Sequence, residues 1–176
     1  MKIENYKDLI VNLPVREQSF TTKRSTWEYA EKDFGWLKEL NNYLFNGEKA
    51  LTVSRQDIFE SHNSIKEVIL KTIYWGYTSG MRGNHFIELL KADNFDSLEN
   101  ILAEQKIGAK ATTSDFKESI KTIKGIGGIG LSTYSKLLYF LGAKFNDNPC
   151  LILDQRLISV FSSNVYNDFT SLSKIR

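Results

Sequence analysis

Cysteine is almost absent from this chain, and its scarcity excludes several kinds of site. Cys150 is the only cysteine, so the chain forms no internal disulfide and cannot supply the cysteine ligands of a structural zinc site or an iron–sulfur cluster. His62 and His85 are far apart and lack the spacing of a helical metal site. We therefore expect no metal and no cofactor.

Long apolar runs and a strong charge of one sign are also missing. No stretch approaches the roughly 18 apolar residues that a membrane helix needs, and the first residues lack the apolar core of a signal peptide. We therefore expect a cytoplasmic protein without membrane association. The formal net charge of +2 does not by itself indicate nucleic acid, because phosphate binding depends on where the positive charge lies.

Apolar residues are plentiful and recur mostly at helical spacing. Of the 176 residues, 41% are hydrophobic and 12% aromatic, enough to bury a sizeable core. Strand-like alternation is scarce, and the β-like patch at residues 150–153 is only a few residues long. The sequence predicts a monomeric all-α protein, with a compact multi-helix domain over residues 25–176 in one or two lobes. Residues 1–24 are predicted to form an N-terminal arm.

Capping signals mark the expected helix starts. These starts are Ser25 (with Glu28), Ser64 (with Glu67), Asn84 and Asp96 (with Glu99). The first helix should be one long element that carries Trp27 and Leu44 and stops at Asn46–Gly47. The second should be central and end near Gly76 or Gly80, and the other two should be short.

The most informative segment is a glycine cluster between two helical patterns. Residues 115–123 carry one apolar stripe, residues 125–130 read Gly-Ile-Gly-Gly-Ile-Gly, and a second stripe runs from Leu131 to Leu141. Glycines at such a bend let backbone amides approach a phosphate, which the helix dipole also favours. The surrounding lysines are Lys117, Lys121, Lys124, Lys136 and Lys144. The pattern predicts a DNA-binding helix-hairpin-helix at about 114–142.

This segment resembles the hairpin of the helix-hairpin-helix (HhH-GPD) base-excision DNA glycosylases. Residues 126–130 fit that superfamily's pattern of apolar, any residue, Gly, apolar, Gly, and a Gly/Pro-containing loop and Asp154 follow in its order. Residues 153–157 and 75–84 are similar to a bacterial branch that is itself similar to 8-oxoguanine glycosylases. The resemblance covers residues 62–162 and implies a compact helical glycosylase fold with a DNA-binding cleft.

The resemblance also implies which residues form the site. Asp154 would be the catalytic carboxylate that stabilises an oxocarbenium-like sugar or activates water, and it should also cap the helix that begins at Gln155. A plain helix cap is the alternative for Asp154. The implied DNA contacts are Lys124, Gly128, Gly130, Ser132, Lys136 and Arg156. The implied pocket or wedge for a flipped nucleotide is Trp75, Tyr77, Met81, Arg82 and Asn84, with core or solvated positions as the alternative.

A residue near the start of the second hairpin helix indicates whether the protein also cuts the DNA strand. Superfamily members that cut it carry a lysine near the start of this helix, and the lysine forms a Schiff base with the sugar. Ser132 occupies that place here. The resemblance therefore implies a monofunctional glycosylase that leaves an abasic site in double-stranded DNA. The exception would be a replacement by Lys136, one turn further on the same face, which we do not expect.

Two other functions stay open at this point. Helix-hairpin-helix elements also serve as non-catalytic, sequence-independent phosphate clamps in DNA-binding proteins. Asp154 distinguishes a clamp from an enzyme, because Asp154→Asn should spare binding and abolish cleavage only in the enzyme. The same chemistry would also serve phage defence, by excising modified bases from phage DNA.

Overall fold

A computed structural model describes residues 2–107, 112–163 and 166–169, and this part of the chain is mostly helical, as predicted. The helices are α1 (Lys7–Val11), α2 (Gly35–Phe45), α3 (Arg55–Glu60), α4 (Ile65–Gly76), α5 (His85–Leu90), α6 (Ala92–Ile107), α7 (Thr113–Ile123), α8 (Leu131–Phe140) and α9 (Gln155–Ser162). Short 3-10 turns cover Ile3–Tyr6, Val15–Glu17, Arg24–Thr26, Glu28–Ala30 and Asn167–Phe169. Strands β1 (Ser19–Lys23) and β2 (Ala50–Ser54) pair antiparallel, as do β3 (Lys144–Phe145) and β4 (Asn148–Pro149).

Helices α4 and α8 pack against each other at the centre of the core. The side chains of α4 are buried almost all round, which is typical of a helix that lies inside a protein. Its fully buried side chains are Val68, Ile69, Leu70, Thr72, Ile73 and Tyr74. Helix α8 adds Tyr134, Leu137, Leu138 and Phe140. Because α4 ends at Gly76, this packing places the next residues of the chain close to the start of α8.

The long helix predicted from Ser25 is wrong. The 3-10 turns Arg24–Thr26 and Glu28–Ala30 occupy its first part, and α2 begins only at Gly35. Phe34, directly before α2, has an extended backbone with φ −130° and ψ 90°, which interrupts any helix. The predicted stop is confirmed, because Asn46 caps the C-terminus of α2 in the left-handed conformation at φ 46°.

Trp27 explains why tertiary packing overrides the helical pattern at this point. Its side chain is fully buried, and its ring lies 4.6 Å from that of Tyr74 and 4.8 Å from that of Phe86. The indole N–H donates to Thr22 Oγ1 at 2.9 Å. A buried indole N–H needs such a partner. The backbone around Trp27 therefore forms short 3-10 turns that place the ring in the core, instead of one continuous helix.

The other helix starts are confirmed except one. Ser64 caps α4 by accepting a hydrogen bond from the Glu67 N–H at 3.3 Å, and Asn84 directly precedes α5. The start at Asp96 and the short length predicted for this helix are both wrong, because α6 begins at Ala92 and runs for 16 residues to Ile107. The N–H groups of Asn94 and Phe95 already donate to the Lys91 carbonyl, at 3.0 and 2.9 Å, so the first helical turn is formed before Asp96.

Strands β1 and β2 were not predicted. Each strand buries a single side chain, Thr22 in β1 and Val53 in β2, so neither shows the apolar alternation that reveals a strand in a sequence. The pair is joined across the sheet by Thr21 and Thr52, whose hydroxyl oxygens lie 2.8 Å apart. Strand β1 belongs to the stretch predicted as an arm, and it packs against α4. Residues 150–153, the predicted β-like patch, form no strand.

Candidate active site

Helices α7 and α8 are joined by the glycine-rich bend of residues 124–130. Thr112 caps the start of α7 in a reciprocal capping box with Asp115. The hydrogen bonds from the Thr112 backbone and hydroxyl lower the pKa of the Asp115 carboxyl. Lys124 ends α7 with an exposed side chain, at the mouth of the bend.

Gly128 fits the bend tightly against the first turn of α5. Its φ is +82°, and a Cβ placed there would lie 2.0 Å from the His85 carbonyl oxygen and 2.7 Å from the Leu89 nitrogen. No side chain fits in that space, and the left-handed backbone also favours glycine. Gly128 therefore sets the shape of the bend through its close contact with α5.

Asn94 attaches the bend to the corner between α5 and α6. The Gly127 N–H donates to Asn94 Oδ1 at 3.2 Å, while Asn94 Nδ2 donates to the Glu88 carbonyl at 2.6 Å. One amide side chain thus satisfies a backbone donor of the bend and a backbone acceptor of α5. The bend is held in place by its own packing before any ligand binds.

The start of α8 leaves its first backbone amides open. Gly130 occupies the N-cap position in an extended conformation, and no side-chain cap is formed there. Nothing within 4 Å would meet a Cβ at Gly130, so the approach to this helix end is clear. The first amides of a helix have no intrahelical partner and carry the positive end of the helix dipole. The start of α8 is therefore suited to an anion.

A cleft of about 620 Å³ lies between the bend and the segment that follows α4. Tyr77, Gly80, Met81, Arg82 and His85 line one wall, and Gly128, Ile129, Gly130, Ser132 and Thr133 line the other. The Tyr77 hydroxyl joins the walls, with its oxygen 2.7 Å from Thr133 Oγ1. The fold thus brings Tyr77, Met81 and Arg82, from the predicted pocket, to the same cleft as Gly128, Gly130 and Ser132.

Trp75 and Asn84 are not among the residues that line this cleft. Trp75 is 6% exposed, and its indole N–H donates to the Gln18 carbonyl at 3.2 Å. Its ring packs edge-on against Phe20 and Phe140, so Trp75 is a core residue, which was the alternative for it. Asn84 is exposed at the N-cap of α5 and makes no capping hydrogen bond.

Asp154 lies at the N-terminus of α9, as predicted. Its Oδ1 accepts a hydrogen bond from the Leu157 N–H at 2.8 Å, and the side chain is partly buried. This bond caps the helix and leaves the other carboxylate oxygen for different partners. Arg156, in the first turn of α9, is exposed.

Ser135 fixes the backbone next to Asp154 onto α8. Its hydroxyl accepts the Leu153 N–H at 2.9 Å and donates to the Ser132 carbonyl at 3.0 Å. Ser135 itself is buried, and both bonds are at least partly buried. The catalytic candidate is thereby tied to the helix whose first turn lines the cleft.

Lys136 is predicted to contact a DNA phosphate, which requires an exposed side chain, but the structure buries it. Its side chain is 8% exposed, and its Nζ donates to Ser132 Oγ at 2.8 Å and to the Ser132 carbonyl at 3.3 Å. The Nζ also lies 5.7 Å from the centre of the Tyr77 ring. Burial lowers the pKa of Lys136, and the negative charge of Asp154 acts in the opposite direction.

Comparison with known proteins identifies the family. A family model described as "Putative 8-oxoguanine DNA glycosylase OGG-like protein" matches residues 13–174. The chain belongs to this OGG-like family. The match extends well beyond residues 62–162, to which the resemblance reached. No curated protein and no solved structure matches the chain.

Membership of the OGG-like family indicates a partner for this protein, which the geometry of the cleft alone does not identify. The family is one of DNA glycosylase-like proteins, so DNA is the partner it indicates. Of the twelve residues that the sequence predicts for the site, six line this cleft, namely Tyr77, Met81, Arg82, Gly128, Gly130 and Ser132. The sequence analysis does not single out Asn94 and Ser135, which attach the bend and residue 153 to neighbouring helices. The one signal for Ser135 was a small polar residue inside the apolar pattern of α8.

A second, apolar pocket of about 230 Å³ lies behind α8 in this OGG-like protein and includes Cys150. Cys150 is partly buried, and burial raises the pKa of its thiol, as for a small hydrophobe rather than a reactive thiolate. In the described ranges, no three His, Cys, Asp or Glu side chains gather as metal ligands would. Within the same ranges, no helix combines the length and apolarity needed to cross a bilayer.

Proposed function

We propose that this OGG-like protein is a DNA glycosylase that removes a damaged or modified base from double-stranded DNA by hydrolysing its N-glycosidic bond. The observation that carries the proposal is the position of Asp154. Its carboxylate accepts a hydrogen bond from the Leu157 N–H, and the preceding Leu153 N–H donates to Ser135 on α8. The negative charge of Asp154 also acts on Lys136. Lys136 in turn binds Ser132, which lines the cleft.

DNA binding begins with the phosphate backbone at the hairpin. The open amides at the start of α8 bind a phosphate oxygen next to Gly130 and Ser132, and Gly128 keeps the bend in the required shape. Lys124 and Arg156 are exposed and contact neighbouring phosphates. These contacts set the position of the duplex without reading its sequence.

The cleft receives the nucleotide that is turned out of the duplex. Tyr77 and Met81 provide an aromatic face and a flexible apolar side chain, both suited to stacking on a base. Arg82 is exposed at the cleft. Its side chain either enters the duplex where the flipped base has left its stack or helps to form the pocket that receives this base. Asn84 is close enough along the chain to contact the strand next to it, whereas Trp75 supports the cleft from the core.

Asp154 acts on the sugar. As the glycosidic bond breaks, positive charge develops at C1′ and O4′, and a fixed carboxylate stabilises this charge or activates the attacking water. Ser132 has no amine, so base removal is hydrolytic and monofunctional, and its product is an abasic site. The enzyme acts as a cytoplasmic monomer, with residues 25–176 as the glycosylase-like domain and residues 1–24 as an arm.

The test is a panel of labelled duplexes that each carry one modified base. Oxidised, alkylated, deaminated and phage-type modifications belong in the panel, since repair and defence need the same residues. After incubation, hot alkali converts each abasic site into a strand break. A break at one modified base supports a glycosylase and identifies its substrate. Binding to the duplexes without a break at any modification would instead support a non-catalytic phosphate clamp.

A further inference from the structure

The cleft between the bend and the segment after α4 contains a histidine among its described lining residues. The other titratable side chains that line it are Tyr77 and Arg82, and phenol and guanidinium groups ordinarily hold their protons well above pH 7. Histidine is the side chain that exchanges a proton near neutral pH. We propose that His85 is the general acid of base release, which donates a proton to the base as it leaves the sugar. The proposal rests on the proposed function and deepens it, because it names the class of base that needs such a donor.

The backbone of His85 is fixed against the bend. Its N–H donates to the Arg82 carbonyl at 3.3 Å, and Gly128 packs so closely on its carbonyl oxygen that no Cβ would fit between them. Its side chain lies at the cleft, whose other wall includes Gly130 and Ser132 from the start of α8. A nucleotide whose phosphate binds at the start of α8 therefore has its base within the cleft that His85 lines.

The imidazole of His85 is available to a ligand. It is exposed, and within residues 2–107, 112–163 and 166–169 neither ring nitrogen has a hydrogen-bond partner. The charged groups on its own segment are Arg82, which lines the same cleft, and Glu88, which is paired with Lys91 at 2.7 Å. The residues of the bend and of α8 that line the cleft are uncharged, as is Asn94 on α6. The His85 ring is therefore not engaged by a carboxylate in the described part of the chain.

The breaking glycosidic bond needs a proton donor on the side of the base. As the bond between C1′ and the base nitrogen breaks, its electron pair stays on the base, which leaves as an anion unless a proton reaches it. The His85 imidazolium gives its proton to a ring nitrogen or a carbonyl oxygen of the base, so a neutral base departs. The water that attacks C1′ loses its proton to solvent by way of Asp154, and His85 takes a proton back from solvent.

The need for His85 depends on the charge of the base. Oxidised and deaminated bases are uncharged in DNA, so they must gain a proton in order to leave as neutral molecules. A base alkylated on a ring nitrogen, such as 7-methylguanine, already carries a positive charge and leaves as a neutral molecule without this proton. The proposal therefore assigns uncharged damaged or modified bases as the substrate class that requires His85.

The experiment measures single-turnover base release from duplexes that carry either an uncharged modified base or 7-methylguanine. His85→Gln keeps a polar side chain but removes the acid, so we expect release of the uncharged base to slow by about 100-fold. Release of 7-methylguanine and the affinity for each duplex should stay close to those of the wild type. His62→Gln, at the exposed histidine between α3 and α4, is the matched control and should behave as the wild type. Thermal melts of each variant report whether it is folded.

The pH profile separates a proton donor from a histidine that binds phosphate or supports the fold. Release of the uncharged base by wild type should slow as the pH rises from about 5 to about 8, because a histidine donor loses its proton over this range, and His85→Gln should lack this decline.

Four results would overturn the role of His85 while leaving a glycosylase. They are an unchanged rate in His85→Gln, weaker DNA binding with an unchanged rate, an equal loss for both kinds of base, and wild-type release of 7-methylguanine alone. Failure of the wild type to release any base from any duplex would instead overturn the proposed function, and the role of His85 with it.

Discussion

Asn94 holds Gly127 in place through a single hydrogen bond, from the Gly127 N–H to Asn94 Oδ1 at 3.2 Å. The same side chain donates to the Glu88 carbonyl at 2.6 Å, so the bend of residues 124–130 and the end of α5 share one amide. Space around this contact is limited, because a Cβ on Gly127 would lie 2.8 Å from Asn94 Nδ2. The cleft wall formed by the bend therefore depends on a residue that does not line it.

Replacing Asn94 by alanine should destabilise the protein and weaken DNA binding together. The change leaves a donor of Gly127 and an acceptor of Glu88 without their partner, at a cost of about 1 to 3 kcal/mol in the free energy of unfolding. Urea denaturation measures this cost. Asn100→Ala, at an exposed position of the same helix, is the matched control. Equal stability of the two variants would show that the Asn94 contact is unimportant.

Two glycines of the bend should respond differently to alanine. At Gly128 the new Cβ would meet the backbone of α5 and the φ of +82° would be strained, so Gly128→Ala should lower the unfolding free energy by about 1 to 3 kcal/mol or more. At Gly130 the Cβ has open space, so Gly130→Ala should fold normally yet bind DNA less tightly, because it obstructs the approach of a phosphate. Thermal melts and fluorescence anisotropy measure the two effects. Normal DNA affinity in Gly130→Ala would argue against a phosphate at the start of α8.

Ser135 should affect the rate of base release more than substrate binding. Ser135→Ala removes the bond that fixes Leu153 to α8, so the neighbouring Asp154 loses its exact placement. A displacement of about 1 Å can cost about 100-fold in rate, and we expect kcat to fall about tenfold or more while KM changes little. Ser162→Ala, on the exposed face of α9, serves as the control. A rise in KM with unchanged kcat would assign Ser135 to binding instead.

Lys124 should contribute to the salt dependence of DNA binding. If its side chain neutralises one phosphate, Lys124→Gln should reduce the slope of log affinity against log salt by about 1. Lys38→Gln, on α2, should leave the slope unchanged. Titrations at several salt concentrations with an unmodified duplex give both slopes. An unaltered slope for Lys124→Gln would place the DNA on another face of the protein.

The sequence alone was sufficient where local chemistry decides the structure. The bend after α7, the cap at Asp154 and the start of α4 at Ser64 depend on residues close together in the chain, and all three were predicted. The long helix through Trp27 failed because the burial of its ring against Phe86 depends on distant residues. The strands at Thr22 and Val53 were missed for a similar reason, since each buries only one side chain.

The site shows the same division between local and distant contacts. The sequence predicts a pocket in the segment that contains Tyr77, Met81 and Arg82, without distinguishing its individual residues. The fold brings all three of these side chains to the cleft. The burial of Lys136 was not predicted, because its spacing from Ser132 is equally compatible with an exposed face of α8. Only the packing of α8 against α4, which places Gly76 beside the lysine stem, makes this side chain an interior one.

The central claim is that Asp154 is catalytic and not only a helix cap, and two substitutions separate these roles. Asparagine caps a helix about as well as aspartate, so Asp154→Asn should keep the wild-type stability, whereas Asp154→Ala should lose about 1 kcal/mol. Neither variant has the carboxylate, so both should bind the modified duplex normally and release its base at least about 100-fold more slowly than wild type.

The most direct measurement is therefore the single-turnover rate of base release by Asp154→Asn on the duplex that wild-type protein cleaves. Our account predicts a loss of about 100-fold or more with unchanged melting temperature and unchanged DNA affinity. A rate close to that of the wild type would contradict it and would leave Asp154 as a structural cap.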